Sequence, residues 1–136
     1  MLRSGSKLAI TVDVEDWYHV PLVAGSPFAR YRDVPAFFAE WKSRYDYLSG
    51  PTADVLSMLG EKGVRATFFV VADVVEHYPR LVRRIAAAGH ELACHGLHHS
   101  CVIDPRTKVQ LMPRSEFEEN TRTARSMLED AIGKPV

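Results

Sequence analysis

Three short runs rich in apolar and β-branched residues, separated by segments of helical periodicity, constrain this chain more than any other feature. Residues 7–14 (KLAITVDV), 65–71 (RATFFVV) and 91–94 (ELAC) read as buried strands. Helical spacing takes over between them. Val55, Leu56 and Leu59 share a face in 53–62, which Gly63 ends; a short helix covers 72–77; and Leu81, Val82 and Ile85 share a face in 79–88, with Pro79 suited to the first turn and Gly89 to the cap. Phe117, Thr121, Ala124, Leu128 and Ala131 then recur at helical spacing up to Gly133, behind a capping box formed by Ser115 and Glu118. Strands alternating with helices imply parallel strands joined by right-handed crossovers, an α/β protein. Residues 15–51 interrupt the alternation. They are punctuated by Pro21, Gly25, Pro27, Pro35, Gly50 and Pro51, with a short helix over 36–45, and long irregular segments of this kind often cover a functional site.

A parallel sheet collects its ligand sites at the carboxyl ends of its strands. The first strand ends in Asp13, Val14, Glu15 and Asp16, and the third runs from Cys94 directly into His95. Acids and imidazoles distant in sequence therefore meet at one rim. Alternate residues of an extended strand share a face, so Asp13 and Glu15 point together while Val14 packs elsewhere. Residues 90–99, HELACHGLHH, hold four of the six histidines. His95 and His99 reach one centre if the chain turns once between them, which Gly96 permits. Two imidazoles and a carboxylate suit zinc or another divalent transition ion, with positions left for water and substrate. A solvated, His-rich loop is the bland alternative.

The neighbouring residues carry less specific signals. His98 adjoins His99 and so projects away from the same centre, toward solvent or a supporting hydrogen bond. His77 ends a helix and His90 follows one, where a cation complements the dipole; both read as structural. Trp17, Tyr18 and His19 offer a sugar-stacking platform, with core packing of Trp17 as the alternative. Cys94 and Cys101 are too few for a disulfide scaffold and read as reduced, small core residues.

Composition excludes several classes. Seventeen basic and seventeen acidic side chains balance to zero net charge, so no general electrostatic footprint for nucleic acid or an anionic membrane exists. No uncharged apolar run is long enough to span a bilayer, and the N-terminus has no apolar signal core, which predicts a cytoplasmic location. The 136 residues, 46% hydrophobic, fit one domain over 1–136 that is small for a closed α/β barrel.

TVDVEDWYHV, GVRATFFVV and YPRLVRRIAAAGHELACHGLHH, in this order, resemble the first half of the NodB-like polysaccharide deacetylases, carbohydrate esterase family four. The likeness is nearest to the branch of bacterial exopolysaccharide and O-antigen clusters, whose first motif carries Val-Asp-Val-Glu-Asp. It implies the N-terminal part of a distorted TIM-like barrel and the removal of acetyl groups from N-acetylated sugars through a metal-activated water. By resemblance Asp13 is the general base, and His95 and His99 are metal ligands. The common motif has adjacent aspartates where this chain has Asp-Val-Glu-Asp, so the acidic ligand is Glu15, favoured by strand alternation, or Asp16. Zinc is the implied metal, with cobalt or another transition ion as alternatives.

The later family motifs, an Arg-x-Pro strand, an Asp-Trp element and a histidine that protonates the leaving amine, have no counterpart after His99. Three readings follow. One is a metal-dependent deacetylase, or its N-terminal portion, acting on an N-acetylated polysaccharide, oligosaccharide or lipid-linked precursor. Another is a hydrolase of a different carbon–nitrogen bond, in a cyclic amide. The third is a shortened metal-binding domain without turnover. An incomplete barrel would leave inward-facing residues such as Phe68 and Val70 partly uncovered, and an open sheet edge favours a homo-oligomer.

Overall fold

The computed structural model describes residues 7–40 and 46–136. Three strands, β1 (Thr11–Val14), β2 (Thr67–Val70) and β3 (Glu91–Cys94), form a sheet in the order β1-β2-β3, parallel throughout. Register aligns Val14 with Val70 and Val70 with Cys94, so all three strands end at one level. The α/β class and the parallel pairing expected from the alternation are both present. The first strand's ladder is shorter than the 7–14 run; Ile10 still accepts a bond from Thr67 N (3.0 Å), whereas Leu8 is exposed.

Among the described residues five helices follow the chain: α1 (Val34–Glu40), α2 (Ser49–Glu61), α3 (Val74–His77), α4 (Pro79–Ala87) and α5 (Arg114–Ile132). The first begins two residues before the expected 36–45, because Asp33 accepts from Ala36 N (2.8 Å); the remainder of that expectation, 41–45, lies outside the described residues. Gly50 and Pro51, read as loop punctuation, lie inside the first turn of α2. First-turn amides have no intrahelical partner, so proline loses nothing there; Asp46 accepts instead from Leu48 N and Ser49 N (3.1 and 2.8 Å). Gly63, Gly89 and Gly133 follow α2, α4 and α5 with φ of 61°, 82° and 69°, the left-handed stop that glycine adopts without strain.

The capping box expected at Ser115 is not formed. The helix starts two residues earlier than that cap implies, at Arg114 behind Pro113, so Ser115 is already within the first turn, and Glu118 pairs with the Arg114 side chain (2.7 Å). Phe117 likewise lies outside the buried stripe and is 49% exposed, while Ala124 and Leu128 are the buried residues of α5.

Alternation splits the sheet into two unlike faces. Val14, Phe68, Val70 and Leu92 are buried in one core with Leu59 of α2, Leu81, Val82 and Ile85 of α4, and Ala124 and Leu128 of α5. Asp13, Phe69 and Ala93 face the other way, and none of them is fully buried. This corrects the expectation for Phe68 and Val70: both have 0% exposure beneath the helices, and Phe69 is the aromatic on the open face. Residues 17–38 have a second, aromatic core built on Tyr18, Tyr31 and Phe37, with Trp17 edge-on to Phe37 at 4.8 Å. Tyr18 and His19 are therefore interior residues, and Trp17 packs on this aromatic cluster, as its core-packing alternative had it. Among the described residues no helix is long and apolar enough to cross a membrane.

The two faces make a measurable distinction. Phe68→Ala is expected to destabilise by about 3–5 kcal/mol, the usual range for a fully buried phenylalanine, and Phe69→Ala by roughly half of that or less; urea unfolding midpoints of the two variants check it.

Candidate metal centre

The rim residues owe their placement to the strand ends. Beyond β1 the alternation continues: Glu15 stays on the open face with Asp13, and Asp16 turns into the interior with Val14. Asp16 is 2% exposed. It caps the single 3-10 turn Trp17–His19, accepting from Trp17 N (2.8 Å) on one oxygen and from the Tyr78 hydroxyl (2.5 Å) on the other.

The His95–His99 segment is tied to the exit of β2 by its backbone. His95 N donates to Val70 O (2.9 Å), Ala72 N to Gly96 O (2.9 Å) and Asp73 N to Leu97 O (3.2 Å). Gly96 (φ 86°) and His99 (φ 55°) both take left-handed backbone, which curls the loop and brings the rings of His95 and His99 to 4.9 Å between centroids. Glycine does this freely; His99 does it at some steric cost.

Glu15, His95 and His99 converge. One donor atom from each lies within 4.8 Å of the others, a grouping in which Asp16 takes no part. The His99 Nδ1 is 3.4 Å from Glu15 Oε2, and both side chains are about one-third exposed. Ligands of a tetrahedral ion at about 2.1 Å stand roughly 3.4 Å apart, so side-chain rotations that draw the three donors in from their 4.8 Å grouping close this set around one ion. Among the described residues neither Asp13 nor Glu15 pairs with a lysine or arginine. The donor set and its charge fit a divalent transition ion. An open cleft of about 540 Å³ adjoins the two imidazoles, walled by Leu97, Val102, Met112 and Phe117.

Sequence reasoning overlooked Asp73. It leaves β2 at the same rim and is 1% exposed, between His19 Nε2 (2.6 Å from Oδ1) and His98 Nδ1 (3.1 Å from Oδ2). Its position just after an apolar strand, the logic that singled out Asp13 and His95, was the available signal. Burial alone would raise its pKa, but the hydrogen bonds of His19 and His98 outweigh that and hold the carboxyl below its ordinary value. His98 is partly exposed and makes a supporting bond, as its position beside His99 suggested. His90 is buried at the opposite end of the sheet and accepts from Ala66 N through Nδ1 (3.2 Å), so its ring serves as an acceptor rather than as a cation for the helix. Cys94 and Cys101 are free and half-buried.

Residues 44–136 match the family model described as polysaccharide deacetylase. The chain belongs to that family. A chitooligosaccharide deacetylase of Bradyrhizobium sp. (strain ANU 289) is 48% identical over 48 residues, covering 35% of this chain and 22% of its relative. Among solved structures, a family 4 carbohydrate esterase pseudoenzyme from Bacillus anthracis superposes over 94% of this chain and 32% of its own, with a TM-score of 0.58 and 18% identity. A family 4 acetyl xylan esterase from Clostridium thermocellum, solved with a cobalt ion, covers 93% and 44% with a TM-score of 0.57 and 20% identity. This polysaccharide deacetylase-family chain thus has the α/β fold of the family and spans less than half the length of these relatives.

The lowered pKa of Asp73 sets a direction for acid stability. A carboxyl depressed in the folded state contributes stability above its ordinary value of 3.8, and that contribution is lost as pH falls through the lower folded value. The wild type is therefore expected to lose stability more steeply below that value than Asp73→Asn does, as thermal midpoints recorded across the acid range will show.

Proposed function

We propose that this chain carries the metal-binding and general-base part of a hydrolase that removes acetyl groups from N-acetylated sugars. The convergence of Glu15, His95 and His99 at the carboxyl rim carries the reading. Glu15, His95 and His99 hold one divalent ion, and a carboxylate with two imidazoles makes zinc the first choice, with cobalt able to replace it. When bound, such an ion supplies Lewis acidity toward the amide carbonyl and an acidified water. Asp13, on the same face as Glu15, accepts the proton of the attacking water at its carboxylate. The cleft beside the imidazoles receives the sugar, as the named activity of the Bradyrhizobium relative suggests, with N-acetylated oligosaccharides as the substrate class.

Asp16 has a different part in this reading. Both of its oxygens are committed to the Trp17 amide and the Tyr78 hydroxyl, so it holds the turn together and leaves the ion to Glu15.

Metal analysis after dialysis is expected to find about one zinc or cobalt per chain, lost in His95→Ala and His99→Ala; unchanged stoichiometry in both variants contradicts the assignment. Glu15→Ala should lose metal while remaining folded, whereas Asp16→Asn should keep metal and melt at a lower temperature. Acetate release from N-acetylglucosamine oligomers tests the base. Asp13→Asn should lower it by about 10²–10⁴ without loss of metal, in the 136-residue chain or in any longer form that carries these residues.

A further inference from the structure

We propose that His19 and Asp73 are positioning residues for His99: they hold the carbonyl of His19 against His99 Nδ1 and so fix the tautomer that leaves Nε2 free for a metal. This rests on the metal-binding reading above and extends it to a pair of side chains more than fifty positions apart in sequence.

The proton positions follow from groups that can act in only one way. A backbone carbonyl only accepts, so the His99 Nδ1, 3.1 Å from His19 O, carries the hydrogen and the neutral ring keeps its lone pair on Nε2. A backbone amide only donates. Asp16 N lies 2.9 Å from His19 Nδ1, which must therefore be the bare nitrogen of that ring. The hydrogen of His19 then sits on Nε2, directed at Asp73 Oδ1 at 2.6 Å. Each ring is set by one backbone group, and the two are linked through His19 itself.

Asp73 joins both ends of this linkage. Its side chain accepts from His19, its other oxygen lies 3.1 Å from His98 Nδ1, and its own amide donates to Leu97 O. It thus ties the turn that presents the His19 carbonyl to the loop that carries His99. His19 and Asp73 are each 1% exposed. Burying a charged carboxylate and an imidazole is unfavourable unless every group is bonded, and an apolar pair would fill the same space at lower cost. Hydrogen bonding to the second ring nitrogen of a metal-ligating histidine orients the ring and raises its basicity, and loss of such a partner weakens metal binding about ten- to hundredfold.

The test compares cobalt affinity, by competition with a chromophoric chelator, and the visible spectrum of the cobalt protein. Asp73→Ala should bind about ten- to hundredfold more weakly, with an altered spectrum. Asp73→Asn retains an acceptor for the His19 Nε2 hydrogen and should recover most of the affinity. Leu128→Ala, in the core of α5, should lower the melting temperature without weakening cobalt binding. If wild type binds cobalt and Asp73→Ala binds as tightly, or if Leu128→Ala weakens binding as much as Asp73→Ala does, the positioning role is wrong while the metal site stands. If wild type itself binds no cobalt, the metal reading fails and this inference with it. Should Asp73→Ala not fold, nitrogen-15 spectra of the metal-free wild type decide. His99 is expected in the Nδ1-protonated form and His19 in the Nε2-protonated form, and the opposite form at either ring overturns the proposal.

Discussion

Parallel hydrogen bonding between three four-residue strands directs the polar residues of this chain. Because Val14, Val70 and Cys94 stand in register, the residues that leave the strands emerge side by side. Glu15, Asp73 and His95 come from three distant parts of the chain yet share one rim. An antiparallel pairing of the same segments would send alternate exits to opposite ends of the sheet and disperse them. The backbone bonds just past the ladder, from Ala72 and Asp73 to the carbonyls of Gly96 and Leu97, extend this alignment into the loop that carries the histidines.

The pleat then sorts the acids. Asp13, Glu15 and Asp16 form a dense acidic run, but a period of two separates the first two from the third. Asp13 and Glu15 remain exposed on the open face. Asp16 is enclosed, and enclosure is tolerable because an amide and a phenol satisfy its oxygens. One short stretch thereby supplies both an exposed acidic edge and a structural anchor.

That anchor connects two cores. The helix-covered face of the sheet forms the larger one, and the aromatic cluster around Tyr18 and Phe37 forms the smaller. Between them lies a polar seam of Asp16, His19, Asp73 and Tyr78, in which a buried carboxylate remains ionised because imidazoles face both of its oxygens. Polar seams of this kind are sensitive to losing any one member, since the remaining groups are left desolvated without partners. The His95–His99 loop rests on the seam, so the geometry of the rim is inherited from bonds made in the interior.

The sequence by itself determined the strand–helix alternation, the parallel sheet, and the pairing of an acidic strand end with His95 and His99. Each of these follows from local periodicity and from the rule that parallel strands end together. It also carried the preference for Glu15 over Asp16 as the acid facing the histidines, since side-chain alternation is a property of the strand alone. Tertiary structure decided what depends on neighbours. Gly50 and Pro51 became helical in a first turn whose leading amides, Leu48 N and Ser49 N, bond to Asp46, and Ser115 lost its capping position because α5 began two residues earlier. Phe68 and Phe69 are equivalent in any local reading, and only the packing of helices on one face buries the first and leaves the second on the open side. Asp73 and His19 meet at 2.6 Å across more than fifty residues. No period or motif encodes that contact, because it exists only once the excursion after β1 folds back onto the exit of β2.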